Sequence, residues 1–217
     1  MRTLQFNLLR NAEDSLTHAV HLLAWPDGPG SEKLKQAILS ISHCVELLLK
    51  ERLRRIHPAF LWENVDKYPS LTARTVSSER AISRLEAVAG LRFRIEDKNA
   101  LAACRSMRNA IEHYEFEVTE KEAKLIVARV LSFVFSFSAS ELGCKLDANF
   151  KNDDTWQMLL DELYEFANEY GNRISASLWA KGSEIVTCSY CGQDTVDSPL
   201  GFCSLCGHYY DRESSND

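Results

Sequence analysis

Cys188-Ser189-Tyr190-Cys191-Gly192 and Cys203-Ser204-Leu205-Cys206-Gly207 set two CxxC pairs eleven residues apart near the end of the chain. Each pair brings two sulfurs to one side of an ion, and two pairs complete a tetrahedron of thiolates. The spacing therefore predicts a small four-cysteine zinc ribbon with Zn2+ bound by Cys188, Cys191, Cys203 and Cys206. Four sulfur ligands leave no coordination position for water, so the zinc is expected to be structural rather than catalytic. The glycine after each second cysteine permits a tight turn. Residues 184–187 and 208–211 are expected to supply flanking strands. His208 is a spare imidazole beside a set the cysteines already complete. No Lys or Arg lies between Cys188 and His208, so a docking role for the ribbon is at least as reasonable as contact with nucleic acid.

The 217 residues suit one domain with an appendage, divided here as a helical domain over 1–181 and the ribbon plus a short tail over 182–217. The formal net charge of -6 and pI near 5.6 speak against a generally basic nucleic-acid-binding surface. Any such contact must come from a local cationic cleft. The first residues lack the pattern of a secretory signal, and the longest apolar stretch, 125–137, is broken by Arg129, Ser132 and Ser136. No membrane association is expected, and the cytoplasm is the expected compartment. Seven cysteines, an odd number, argue against a complete disulfide framework. Cys44, Cys104 and Cys144 fall in or beside apolar helical patterns and read as buried, reduced thiols.

Apolar periodicity near 3.6 runs up to about residue 180 and predicts an all-α body of about six helices. The first spans 3–24, with Phe6, Leu9, Leu16, Val20 and Leu23 on one face. The second follows Ser31 as N-cap and stops before Pro58. Residues 58–74 read as irregular. A third helix covers 77–88 and a fourth 97–114. Thr119 and Glu122 open a fifth that Gly143 ends; its middle, 127–137, is apolar nearly all round, as in a helix covered on two sides. A sixth starts near Asp154 and carries Trp156, Leu160, Leu163, Phe166, Tyr170 and Ile174 on one face. The tail after the ribbon is expected to be disordered.

Two Arg-x4-His spacings occur. Arg52 to His57 closes a basic helix end, where cations favour the C-terminus, and needs no further role. Arg108-Asn109-Ala110-Ile111-Glu112-His113 is set differently. Arg105, Asn109 and His113, four apart, form a polar stripe beside an apolar face. Asn109 is a poor helix former with no capping work here. The residues alone leave two readings: a functional cluster, or Glu112 pairing with Arg105 or Arg108 on a solvated face.

The stretch 31–170 resembles the HEPN superfamily of helical domains, found in many prokaryotic toxin and defence ribonucleases. Ser42-His43-Cys44-Val45-Glu46-Leu47-Leu48-Leu49-Lys50 is similar to its second helix, 75–85 to the approach to its third, and Arg108-Asn109-x3-His113 to its Arg-polar-x3-His signature. Tyr114 follows His113 directly, so the Arg-x4-His-x-Tyr form of some toxins is not reproduced. The resemblance implies a metal-independent endoribonuclease, in which Arg108 holds the scissile phosphate and His113 moves protons. Asn109 orients either, and Glu46 on the second helix orients Arg108. It also implies a homodimer: Arg108 and His113 lie about 140° and about 7.5 Å apart on one helix, and two facing copies bring two of each into one cleft. The expected partner is RNA, with an antitoxin or sensor protein as regulator. The alternative is a non-catalytic HEPN module that binds RNA or protein, with the ribbon as docking element.

Overall fold

The computed structural model describes residues 6–25, 28–151 and 153–209. Seven α-helices occur among them: α1 (Leu8–Leu23), α2 (Gly30–Ile56), α3 (Ser78–Ala89), α4 (Ile95–His113), α5 (Glu120–Leu142), α6 (Asp154–Glu162) and α7 (Tyr164–Ala180). Three two-residue strands follow: β1 (Ile185–Val186), β2 (Val196–Asp197) and β3 (Phe202–Cys203), antiparallel in the order β1-β2-β3. The all-α expectation holds for the body.

Local chemistry sets most helix ends. Asn7 caps α1 by accepting from Arg10 N at 2.9 Å, so the helix begins after Phe6. Phe6 is 74% exposed rather than on the core face, and residues 3–5 of the expected helix lie outside the described residues. The second helix starts at Gly30, with Pro29 rather than Ser31 at the N-cap position. Pro29 has no amide hydrogen to leave unpaired there, and its fixed φ suits a helix entry. Lys33 Nζ sits 2.8 Å from the centroid of the Trp25 ring, tying the preceding turn to α2. Thr119 Oγ1 accepts from Glu122 N at 3.2 Å. Gly143 ends α5 at φ +67, a conformation costly for residues with a Cβ.

The expected sixth helix is two. The chain breaks at Leu163 (φ -118, ψ 69), whose side chain is fully buried. Its apolar stripe continues across the break because Trp156 in α6 and Phe166 in α7 face the same core, with ring centroids 5.7 Å apart. Within 58–74 the chain forms two 3-10 turns, Pro58–Leu61 and Val65–Lys67. Arg84 of α3 pins this segment by donating to the carbonyls of Phe60, Trp62 and Glu63.

α5 contacts α2, α4 and α7. By length and composition it is apolar enough to cross a membrane, yet most of its apolar side chains are buried inside the bundle; it is the core helix of the fold. Phe135 is its hub, with ring centroids 6.2 Å from Phe150, 5.4 Å from Trp156, 5.8 Å from Phe166 and 5.5 Å from Tyr170. At the end of α2, Glu51 is buried and chelated by Arg54 and Arg55, while Arg52 pairs with Glu141. Burial alone would raise the Glu51 carboxyl, but the two arginines hold it below the ordinary range. His57 turns back to accept from Ala59 N at 3.2 Å. The Arg52–His57 spacing is thus a packed helix end.

Deleting the Phe135 ring removes contacts to four aromatic neighbours at once. Phe135→Ala is expected to lower unfolding free energy by about 3–5 kcal/mol, read from a denaturant midpoint. Leu71→Ala, at a side chain 97% exposed, is expected to change it by less than about 0.5 kcal/mol.

Candidate functional site

The four cysteines of the C-terminal segment converge, with all Sγ atoms within 4.8 Å of one another. Cys188 and Cys206 lie 3.7 Å apart at sulfur, as do Cys191 and Cys203. A disulfide requires about 2.05 Å, whereas a tetrahedral ion with metal–sulfur bonds of about 2.3 Å sets its ligands about 3.8 Å apart. The cluster fits a metal ion. Thr195 Oγ1 lies 3.0 Å from Cys203 Sγ and Cys206 N donates to it at 3.4 Å. Hydrogen bonding among the sulfurs lowers the Cys203 thiol and raises those of Cys191 and Cys206, so the sulfurs titrate as one proton-sharing cluster. His208 is not part of the cluster: its ring stacks on Tyr190 at 5.1 Å, and its carbonyl accepts from Cys203 N.

Of the strands expected at 184–187 and 208–211, the first is β1. The second is reduced to a bridge from Tyr209 to Phe202, and Asp211 lies outside the described residues. β2 was not expected. This segment shares the helical body's apolar core through Cys188, Val196, Cys203 and Leu205. Trp156 Nε1 donates to Leu205 O at 2.8 Å, and Lys151 Nζ to Ser204 O at 2.6 Å, both carbonyls inside the second CxxC loop. Gln193 donates to Asn168 of α7. Gly171 makes room for it, since a Cβ there would come within 2.8 Å of Gln193 Oε1.

The second cluster lies on α4. Arg108 is half-buried; its NH1 is 3.7 Å from Glu46 Oε2 and its Nε is 3.2 Å from Glu112 Oε2. Glu46 also takes Lys50 at 2.6 Å, and Lys50 donates to Thr75 at 2.9 Å. Glu46 is thus both the expected neighbour of Arg108 and one half of an i,i+4 pair with Lys50. Arg105 reaches across to Glu79 of α3 at 2.7 Å. Asn109 and His113 are exposed, and the His113 ring is edge-on to Tyr114 at 6.3 Å.

The packing of α4 sets where these side chains point. Cys104 and Met107 face the core, which fixes the rotation of the helix and sends Asn109 and His113 outward. Ile95, Asn99, Ala102, Ser106, Asn109 and His113, spaced by four and three, make an exposed seam of mostly small side chains. A cleft of about 510 Å3 between α3 and α4 runs beside it, with Ile82 and Leu101 in its floor and Arg105 and Asn109 at its edge. The Lys50–Thr75 and Arg105–Glu79 contacts were not anticipated, because their partners lie far apart in sequence and carry no pattern.

No family model, no curated protein and no solved structure matches the chain in comparisons with each.

The free thiols offer a direct check on the metal cage. Cys44 and Cys104 are buried, and burial pushes the Cys44 thiol up and the Cys104 thiol to about 12. Cys144 is only half-buried, in contrast to the full burial expected for it. Alkylation of the metal-loaded native protein is expected to label Cys144 alone, and chelation to open the four cage cysteines as well, read by mass spectrometry. Labelling of all cage cysteines before chelation would show that no ion is held.

Proposed function

We propose that the chain is a metal-independent endoribonuclease of the HEPN kind that works as a homodimer. In this reading it acts in the cytoplasm as a toxin or defence effector. Zn2+ fills the four-thiolate cage as a structural ion, because a closed tetrahedral sulfur set in a reducing compartment suits zinc best.

The exposed seam of α4 carries the reading. Asn109 and His113 belong to it, Arg108 borders it, and small side chains along it let a second helix approach closely. Two copies meeting there would put two Arg108 and two His113 in one cleft. One His113 takes the proton of a ribose 2'-hydroxyl as that oxygen attacks phosphorus. The bond from phosphorus to the 5'-oxygen breaks, and the other His113 protonates the departing oxygen. Arg108 binds the non-bridging oxygens and meets the charge that builds on them. Asn109, one turn before His113 on the same face, positions the imidazole or the phosphate, and Glu46 positions Arg108. The products are a 2',3'-cyclic phosphate and a 5'-hydroxyl.

Arg108 reaches phosphate only if Glu112 yields it. A partly exposed pair of this kind contributes about 0–1 kcal/mol, so the exchange costs little. The same pairing favours a second reading, in which Arg108 is a structural partner of two carboxylates. In that case the module binds RNA or a partner protein without cutting, with the ribbon as docking element.

Metal-loaded protein incubated with total tRNA, without added divalent ions, is expected to cleave it to 2',3'-cyclic phosphate ends and to leave DNA intact. Arg108→Ala and His113→Ala are each expected to lose about 100-fold or more of the rate. Equal cleavage by all three proteins, or none by wild type, would overturn the nuclease reading. Glu112→Gln is expected to tighten RNA binding several-fold in a filter-binding assay by releasing Arg108; unchanged affinity would place RNA elsewhere.

A further inference from the structure

The connection from α4 to α5 leaves two aromatic rings in water beside His113. Tyr114, the residue next to that imidazole, is 75% exposed, and Phe116 is 42% exposed. The Tyr114 and His113 rings lie 6.3 Å apart at 77°, close to perpendicular. The tyrosine therefore touches the imidazole without being stacked on it, and most of its surface is open to a flat ligand. A single exposed ring is ordinary on a protein surface. Here two occur within three residues, and past Phe116 the surface continues into a groove of about 720 Å3 with Leu34, Ile38, Ile111 and Val118 in its lining.

Charge decides what these rings can take. After Arg108 the chain carries no Lys or Arg until Lys121, while Glu112, Glu115, Glu117 and Glu120 fall between. Carboxylates in that number repel a phosphate backbone, so Arg108 is the place for phosphate and the α4–α5 connection is not. A nucleobase has no charge for them to repel. It also has two flat faces, and proteins hold unpaired RNA bases chiefly by stacking them on aromatic side chains.

We infer that Tyr114 is a base-binding residue: the base of the nucleotide whose 2'-hydroxyl gives its proton to His113 stacks on the Tyr114 ring while Arg108 holds the phosphate. The position of that phosphate rests on the nuclease reading. The substrate class it defines is RNA unpaired at the cut, because a base stacked inside a duplex has no free face to offer. In a two-fold dimer the second Tyr114 serves the nucleotide on the other side of the same phosphate. Selectivity then lies in the two bases that flank the cut rather than in a longer sequence.

Two readouts keep this inference apart from the reading it rests on. The first is the affinity of metal-loaded His113→Ala, which leaves RNA uncut, for an unstructured RNA oligonucleotide in a filter-binding assay. Adding Tyr114→Ala is expected to weaken it about tenfold or more, and adding Tyr114→Phe to preserve it. The second is cleavage of a 2'-O-methyl strand with one central ribonucleotide, which confines attack to a single hydroxyl. That ribose carries adenine in one strand and hydrogen in place of the base in the other. Base removal is expected to lower kcat/KM about tenfold or more in wild type and to change little in Tyr114→Ala. Affinity that depends on Tyr114, without cleavage, would keep the stack and sink the nuclease. Equal affinity with and without Tyr114→Ala, or a base-removal penalty that persists in full in Tyr114→Ala, would overturn the stack whatever the cleavage. No RNA binding at all would overturn it too and leave the two rings to a protein partner.

Discussion

The indole of Trp156 joins the two halves of this molecule. Its ring packs edge-on to Phe135 at the centre of the helical bundle, and its N–H reaches the Leu205 carbonyl between the last two cage cysteines. Phe135 in turn belongs to α5, the helix that α2, α4 and α7 all contact. An ion in the four-cysteine cage would thus fix the loop whose carbonyl the core tryptophan bonds. The small three-stranded element has too few side chains for a core of its own. It uses the bundle's core instead, through Val196 and Leu205.

The same central helix orients α4. With Leu101, Cys104 and Met107 turned inward, helical geometry puts Ala102, Ser106, Asn109 and His113 on the outside. Arg108 is caught between the two faces, with its stem half-buried and its guanidinium within reach of Glu46 and Glu112. An arginine so placed is held in position yet weakly neutralised, because both partners remain partly in water. That arrangement suits a group meant to exchange a carboxylate for a phosphate, and it equally suits a plain structural pair.

What the residues announce in advance is local. Thr119 before α5, Gly143 after it, and the CxxC spacing each act through neighbours a few positions away, and each is readable without a structure. The break at Leu163 is not, because the apolar stripe of α6 and α7 continues through it; only the shared packing of Trp156 and Phe166 on Phe135 makes a bend favourable. Ser31 is a good cap by type, but the preceding Pro29 and Gly30 already start the helix. Glu46 beside Arg108 has no signal in the spacing of the chain. Thr75 on Lys50, Glu79 on Arg105 and Asp97 on Arg173 are long-range pairs that composition and spacing do not signal.

The functional account rests on two copies of α4 sharing one cleft, and complementation examines that most directly. Arg108→Ala and His113→Ala proteins, each inactive alone, would be mixed, allowed to exchange subunits, and assayed on tRNA. A shared cleft keeps one intact Arg108 and one intact His113 in the mixed dimer, so cleavage is predicted to reappear in part, below the wild-type rate, with water giving the departing oxygen the proton that the missing second His113 would supply. A mixture that exchanges subunits and stays silent, beside an active wild type, would contradict the composite site.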